Sequence, residues 1–186
     1  MRSSLRTLLE NHPVADAVEA DHRRRMLVLV DAPGDVFSRH HFTPGHFTAS
    51  AFVLSPDASA LLLILHGTLK LWLQPGGHVD PEDEDVFGAA RREVMEETGV
   101  SDLRRVALGS PLLDLDVHPI PPNAKKSEPA HEHFDVRILL QSTTWEIAAG
   151  SDAQDARWVP LREVEDAGTD DSVLRAVRRV ISQLGE

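Results

Sequence analysis

The stretch of sequence that decides the fold is residues 76–100, GGHVDPEDEDVFGAARREVMEETGV, which joins a glycine pair to an acidic helical pattern. At about 100° per residue, a helix over residues 84–98 places four apolar side chains on one stripe, namely Val86, Phe87, Ala90 and Val94. On the same helix, Glu93 and Glu97 fall at the edge of that stripe, and Glu96 lies on the adjoining strip. Gly99 follows as the expected left-handed helix end.

The row of acids at that edge indicates a cation site. Carboxylates four residues apart repel each other even when exposed, and partial burial adds a cost that protonation or a metal ion removes. Mg²⁺ and Mn²⁺ prefer oxygen ligands, and the backbone of Gly76 and Gly77 can approach a ligand closely. Asp83 is predicted to cap the helix start. A solvated acidic helix is the alternative interpretation of the same charges.

Outside this stretch, helical and alternating patterns predict a mixed α/β sandwich, a curved sheet with helices on its outside. Residues 3–25 predict one or two helices, and residues 26–30 predict either the helix end or a first strand. Short apolar runs predict strands at 47–54, 60–66, 69–73, 103–108, 112–117, 134–141 and 156–161. Residues 74–83 are predicted as a loop, and residues 170–184 as an amphipathic helix.

Length and composition set further bounds. The 186 residues suit one domain, and the net charge of −11 disfavours sequence-independent nucleic-acid binding. The lack of cysteine excludes disulfides, thiolate zinc sites and cysteine nucleophiles, and it fits a cytoplasmic protein. The apolar runs are far shorter than the roughly 20 residues of a membrane span, so no membrane association is expected. The acidic N-terminal stretch does not resemble a secretory signal.

Residues 77–100 resemble the signature of the Nudix hydrolase family, G-x5-E-x7-R-E-U-x-E-E-x-G-U, in which U is a large aliphatic residue. The second half is complete and runs from Glu84 to Arg92-Glu93-Val94-Met95-Glu96-Glu97-Thr98-Gly99-Val100. In the first half, six residues rather than five separate Gly77 from Glu84, which we interpret as a one-residue loop insertion. If Asp83 rather than Glu84 fills the first acidic position of the signature, the spacing from Gly77 keeps its five residues. The spacing from that acid to Arg92 then becomes too long.

The resemblance implies a Nudix-type α/β/α sandwich with a mixed curved sheet. Residues 1–186 would form a single domain, with residues 1–45 as an N-terminal helical extension and residues 46–186 as the Nudix fold. It also implies a metal-dependent hydrolase that cleaves a phosphoanhydride bond. The substrate would be a nucleoside triphosphate or a nucleoside diphosphate linked to another moiety.

The resemblance further implies Mg²⁺ or Mn²⁺ bound by Glu93, Glu96, Glu97 and a backbone carbonyl of Gly76 or Gly77. The predicted catalytic residues are Arg92, Glu93 and Glu96. Arg92 can orient a carboxylate through a bidentate contact. The general base stays open among four acids, Glu93, Glu146, Asp152 and Asp155.

Weaker signals suggest substrate contacts at Trp72, His78, Lys126, His131, His133 and Arg137. The tryptophan could stack on a base, and the two cationic side chains could contact phosphates. The histidines lie in the signature loop and in an H-x-H that closes a proline-rich loop. They are predicted to contact phosphate beside the metals, with a zinc site or ordinary structural histidines as the alternatives.

Two alternative functions and one assembly remain open. A Nudix-fold nucleotide-binding or sensor protein with weak catalysis is the main alternative, although such modules usually lose the acids that are all present here. An enzyme similar to isopentenyl-diphosphate isomerase is disfavoured, because that chemistry uses a cysteine in the family. A homodimer through the N-terminal helices is expected only by analogy.

Overall fold

A computed structural model of the protein describes residues 1–147 and 155–185. Over these residues the helices are α1 (Arg2–Asn11), α2 (Ala17–Val30), α3 (Val86–Thr98), α4 (Asp171–Leu184) and a 3-10 helix (Leu161–Ala167). The strands are β1 (Gly45–Leu54), β2 (Ala60–Leu65), β3 (Trp72–Leu73), β4 (Gly76–His78), β5 (Leu103–Arg105), β6 (Asp114–Ile120), β7 (His131–Ser142) and β8 (Ala156–Pro160).

The strands form one mixed sheet around a parallel central pair. The main order is β3-β2-β1-β7-β5, while β4 pairs with β1, β6 with β7 and β8 with β2. Strands β1 and β7 run parallel from Gly45 beside Glu132 to Leu54 beside Gln141, and the other pairs are antiparallel. The predicted α/β class with a mixed curved sheet is confirmed.

Helices cover both faces of the sheet because alternate strand residues point to opposite sides. One apolar cluster joins α1, α2 and α3 to the face of β1 that carries Phe47, Ala49 and Ala51. A second cluster joins α4 to the face that carries Phe52 and Leu54. On this second face, β1 becomes polar towards its beginning, at Ser50, Thr48 and His46.

The structure corrects several predicted boundaries. Residues 26–30 form the end of α2, which confirms the first of the two predicted alternatives, and the strand predicted at 69–73 is reduced to Trp72–Leu73. The predicted loop contains β4, which forms because its glycine-rich backbone pairs with β1.

The predicted helix cap at Asp83 is wrong. Asp85 caps α3 and accepts hydrogen bonds from the amides of Phe87 and Gly88. The left-handed helix end at Gly99 is confirmed, with φ of 71°.

Among the described residues, none of the helices combines the length and the apolar character that crossing a membrane requires.

Candidate active site

Arg92 lies at the centre of the acidic site. Its Nε and Nη2 donate to the two carboxylate oxygens of Asp83 at 3.2 and 2.9 Å. Its Nη1 donates to Glu93 Oε1 at 2.9 Å and to Glu96 Oε2 at 3.1 Å. Nη2 also donates to the backbone carbonyl of His78 at 2.8 Å. A single guanidinium therefore fixes three carboxylates and the end of β4, as its planar fork of donors allows.

Asp83 is a site residue whose role the sequence analysis missed. It takes the bidentate contact with Arg92, whereas Glu84, which fills the acidic position of the signature, is exposed. The five-residue spacing from Gly77 to Asp83 was the signal that could have found it. The extra residue therefore lies between Asp83 and the beginning of α3, and the loop up to Asp83 has the usual length of the signature.

The glycine pair of β4 packs directly on the carboxylates of α3. The Gly76 amide donates to Glu97 Oε2 at 3.0 Å. A Cβ atom at Gly77 would lie 2.7 Å from Glu93 Oε1, so the Glu93 carboxylate occupies the space that a side chain would need. Glu93 and Glu97 are one helical turn apart, and each meets one glycine.

Negative charge is crowded at this site. Burial raises the pKa of Glu93, and the neighbouring charges of Glu96 and Asp80 raise it further, against the opposing effect of Arg92. The Glu93 side chain is 15% exposed, so solvent screens these charges incompletely. Crowded and incompletely screened carboxylates of this kind suit a hard divalent cation, which would relieve the repulsion between their negative charges.

Five histidines gather on the polar face of the sheet next to β4. The strand register places His46 beside His133, and His133 beside His118. The rings of His78 and His131 complete the group, and ring centroids within it lie 4.8–5.6 Å apart. His131 and His133 belong to β7 itself, which begins three residues earlier than predicted.

Three members of the histidine group have a lowered pKa. Burial lowers the pKa of His46 to about 4 and that of His133 to about 2, and the other imidazoles add to both shifts. Burial also lowers the pKa of His78 to about 4, with help from the positive charges of Arg39 and Lys126. Lys126 itself is exposed on its loop.

Arg137 and Trp72 lie away from the acidic site. The Arg137 side chain is 2% exposed and pairs with Asp114, Asp116 and Asp135 at 3.1, 3.3 and 3.0 Å. Carboxylates of β6 and β7 neutralise its charge inside the protein. Trp72 lies on β3, separated from β1 by β2, and the Arg157 guanidinium covers its ring at 3.9 Å.

The candidate general bases differ in their surroundings. Glu93 is largely buried beside Gly77, whereas Glu146 and Asp155 are exposed. Asp152 lies outside the described residues.

Comparison with known proteins decides the family. The model of the Nudix domain matches residues 44–179. The chain belongs to the Nudix family. A curated Nudix relative from Lactococcus lactis subsp. cremoris, a probable DHNTP pyrophosphohydrolase, is 37% identical over 131 residues, which cover 69% of this chain and 75% of the relative. The chain is therefore a Nudix hydrolase, and members of this family generally use divalent metals.

Solved Nudix structures share the fold. The E. coli dihydroneopterin triphosphate pyrophosphohydrolase is 14% identical, with a TM-score of 0.54 over 73% of this chain and 94% of its own. A C. elegans Ap4A hydrolase is 18% identical, with a TM-score of 0.52 over 75% of this chain and 97% of its own. At these identities the likeness supports the fold alone.

Proposed function

We propose that this Nudix hydrolase cleaves a phosphoanhydride bond and that Glu93, Glu96 and Glu97 bind Mg²⁺ or Mn²⁺. The observation that carries the proposal is the packing of β4 on α3, in which the glycine pair meets Glu93 and Glu97. A backbone carbonyl of the glycine pair completes the proposed ligand set.

The chain's own residues fix the geometry of the reaction. Arg92 orients Glu93 and Glu96, and the Gly76 amide orients Glu97. Glu93, which Arg92 holds beside Gly77, is the proposed general base that accepts the proton of the attacking water at a carboxylate oxygen. When bound, a divalent cation supplies neutralisation of phosphate charge and acidification of water.

The proposed substrate class is a nucleoside or pterin triphosphate, with nucleoside diphosphates linked to another moiety as the second class. The Lactococcus relative named for DHNTP supports the first class, because it aligns over most of this chain. His78, whose carbonyl accepts from Arg92 of the acidic site, and the exposed Lys126 are the proposed phosphate contacts. We do not assign substrate contacts to Arg137 or Trp72.

The test is hydrolysis of a substrate panel with Mg²⁺ or Mn²⁺. The panel contains dihydroneopterin triphosphate, nucleoside triphosphates, Ap4A and ADP-ribose, and pyrophosphate or phosphate release is measured. Glu97→Gln keeps an acceptor for the Gly76 amide but removes a charge, so turnover is expected to fall by at least 100-fold with an unchanged melting temperature. Glu165→Gln, at a side chain 75% exposed in the 3-10 helix, is the matched control.

Full activity of Glu97→Gln would overturn the metal assignment. Nucleotide binding by calorimetry without turnover of any substrate would favour the alternative of a weakly catalytic sensor.

We also propose that residues 1–186 form one domain, with residues 1–45 as an extension of the Nudix fold. Leu5, Leu9 and Met26 of the two N-terminal helices are buried in the cluster that contains α3, which supports common folding. Separate unfolding transitions for this segment and the remainder would contradict the proposal. A homodimer through the same helices is tested by sedimentation equilibrium.

A further inference from the structure

The trio His46, His131 and His133 combines three nitrogen donors at one point of the sheet. Each side chain offers one ring nitrogen, and these nitrogens all lie within 4.8 Å of one another. An ion at the centre would be at most about 2.8 Å from each nitrogen, compared with about 2.1 Å in zinc–imidazole bonds. Small side-chain rotations would close that difference.

Hydrogen bonds show which nitrogen is available in two of the three rings. His46 Nδ1 lies 3.2 Å from the His41 carbonyl, and His131 Nδ1 lies 2.8 Å from the Pro129 carbonyl. A carbonyl oxygen only accepts, so Nδ1 must carry the proton in both rings. In a neutral imidazole, Nε2 then carries a lone pair. Histidine ligands of metals commonly have their second nitrogen held in this way.

The available nitrogen of His46 has no partner of its own. His46 is 1% exposed, and its Nε2 is buried without a hydrogen bond to any described residue. A buried polar atom in this condition calls for a partner that protein atoms do not supply. The centroids of the His131 and His133 rings lie 5.2 and 4.8 Å from that of the His46 ring, so further imidazoles lie next to this buried atom.

Two of the three rings do not offer their Nδ1 donors to an anion. A phosphate oxygen needs a donor, but the donors of His46 and His131 are directed at backbone carbonyls. A cation that prefers imidazole nitrogen suits this place, and such a cation differs in class from the Mg²⁺ or Mn²⁺ that carboxylates select.

We propose that His46, His131 and His133 form a second metal site, which binds a transition-metal ion of the zinc class. His118, whose Nδ1 lies 2.9 Å from Asp116 Oδ2, and His78 border the trio and are the nearest side chains for a further ligand. The site goes beyond the proposed hydrolysis and does not depend on it.

Strand β4 links this site to the acidic one. The His78 ring lies 5.2 Å from the His46 ring, while the His78 carbonyl accepts from Arg92. A metal in the histidine trio would therefore lie next to the strand that also covers Glu93.

The experiment measures metal binding directly on the full chain, freed of any histidine tag and of metal by a chelator. Co²⁺ and Zn²⁺ are titrated with visible spectroscopy and elemental analysis as readouts. We expect one equivalent of Co²⁺ with the absorption of a nitrogen-ligated low-coordinate site, displaced by Zn²⁺. His131→Ala is expected to weaken binding at least 10-fold, whereas His40→Ala, an exposed histidine outside the trio, is expected to change nothing.

Two further measurements keep the result decisive. Glu97→Gln must retain the Co²⁺ signal, which separates this site from the acidic one. If His131→Ala loses its fold by circular dichroism, His133→Gln replaces it, and wild-type protein must still gain thermal stability with Zn²⁺. Absence of stoichiometric Co²⁺ and Zn²⁺ uptake by wild-type protein, or equal uptake by folded trio variants, overturns the proposal.

Discussion

Replacing Gly77 with alanine is expected to slow hydrolysis about 10- to 100-fold while the protein stays folded. The added Cβ would lie 2.7 Å from Glu93 Oε1 and 2.8 Å from both Cδ and Oε2 of the same carboxylate. Rotating the carboxylate does not relieve this contact, because all three atoms are too close. The group as a whole has to move.

The size of the effect follows from that movement. Ordinary van der Waals contacts of a Cβ begin at 3.4 Å, so the Glu93 carboxylate must move by about 0.7 Å. A misplacement of about 1 Å at a reacting group can cost roughly 100-fold in rate. The expected loss corresponds to about 1.4–2.8 kcal/mol in activation free energy. Since the obstacle is the end of a flexible side chain, the cost falls on catalytic geometry more than on folding.

The assay is kcat at saturating Mg²⁺, measured as pyrophosphate release, together with the melting temperature. Gly88→Ala is the matched control, because a Cβ there meets only Asp85 Oδ1 at 3.7 Å. Alanine at that helical position is expected to preserve activity and to stabilise α3 by up to about 1 kcal/mol. Equal kcat values for the two variants would refute the idea that the Glu93 carboxylate must occupy the space beside Gly77.

Two other predictions concern the buried charges. Arg137→Met leaves the carboxylates around Arg137 uncompensated. It is expected to lower the free energy of unfolding, measured with urea, by about 3–5 kcal/mol. A variant with unchanged stability but lost activity would instead support phosphate binding by Arg137. Burial alone would raise the pKa of Asp116, but His118 and Arg137 outweigh it and lower that pKa. Its unfolded value is about 3.9, so its stabilising contribution is complete well above that pH and is lost as the pH falls below it. The urea midpoint of Asp116→Asn is accordingly expected to fall less steeply between pH 5 and pH 3, and parallel curves would contradict this.

The helices and most strands could be predicted because their apolar patterns are local. The period of α3 and its glycine end lie within residues 84–99, and α4 shows the same kind of stripe. Strand β4 could not be predicted, because two glycines carry no side-chain pattern and the strand exists through its pairing with β1.

The charged partners were harder to predict than the elements. Arg137 was predicted to contact a phosphate, but two of its hydrogen-bond acceptors, Asp114 on β6 and Ser172 on α4, are distant in sequence and could not be read from its local pattern. Asp83 and Asp85 are both acids before a helix, and only backbone geometry decides which one caps it and which one binds Arg92.

The histidine group shows the same limit. Its members are spread from residue 46 to residue 133, and the strand register brings them onto one face. The H-x-H pattern identified two of them, but nothing local in the sequence indicated that His46 would join them.

The parallel pairing of β1 with β7 has a consequence for biosynthesis. Gly45 and Glu132 are neighbours in the sheet although 87 positions separate them in the chain. A ribosome that adds about 5–20 residues per second leaves β1 without this neighbour for roughly 4–17 s. During that interval β1 lacks its partner strand. All ten of its residues are buried in the folded protein. We therefore expect slower translation or chaperones that shield nascent chains to change the yield of folded protein.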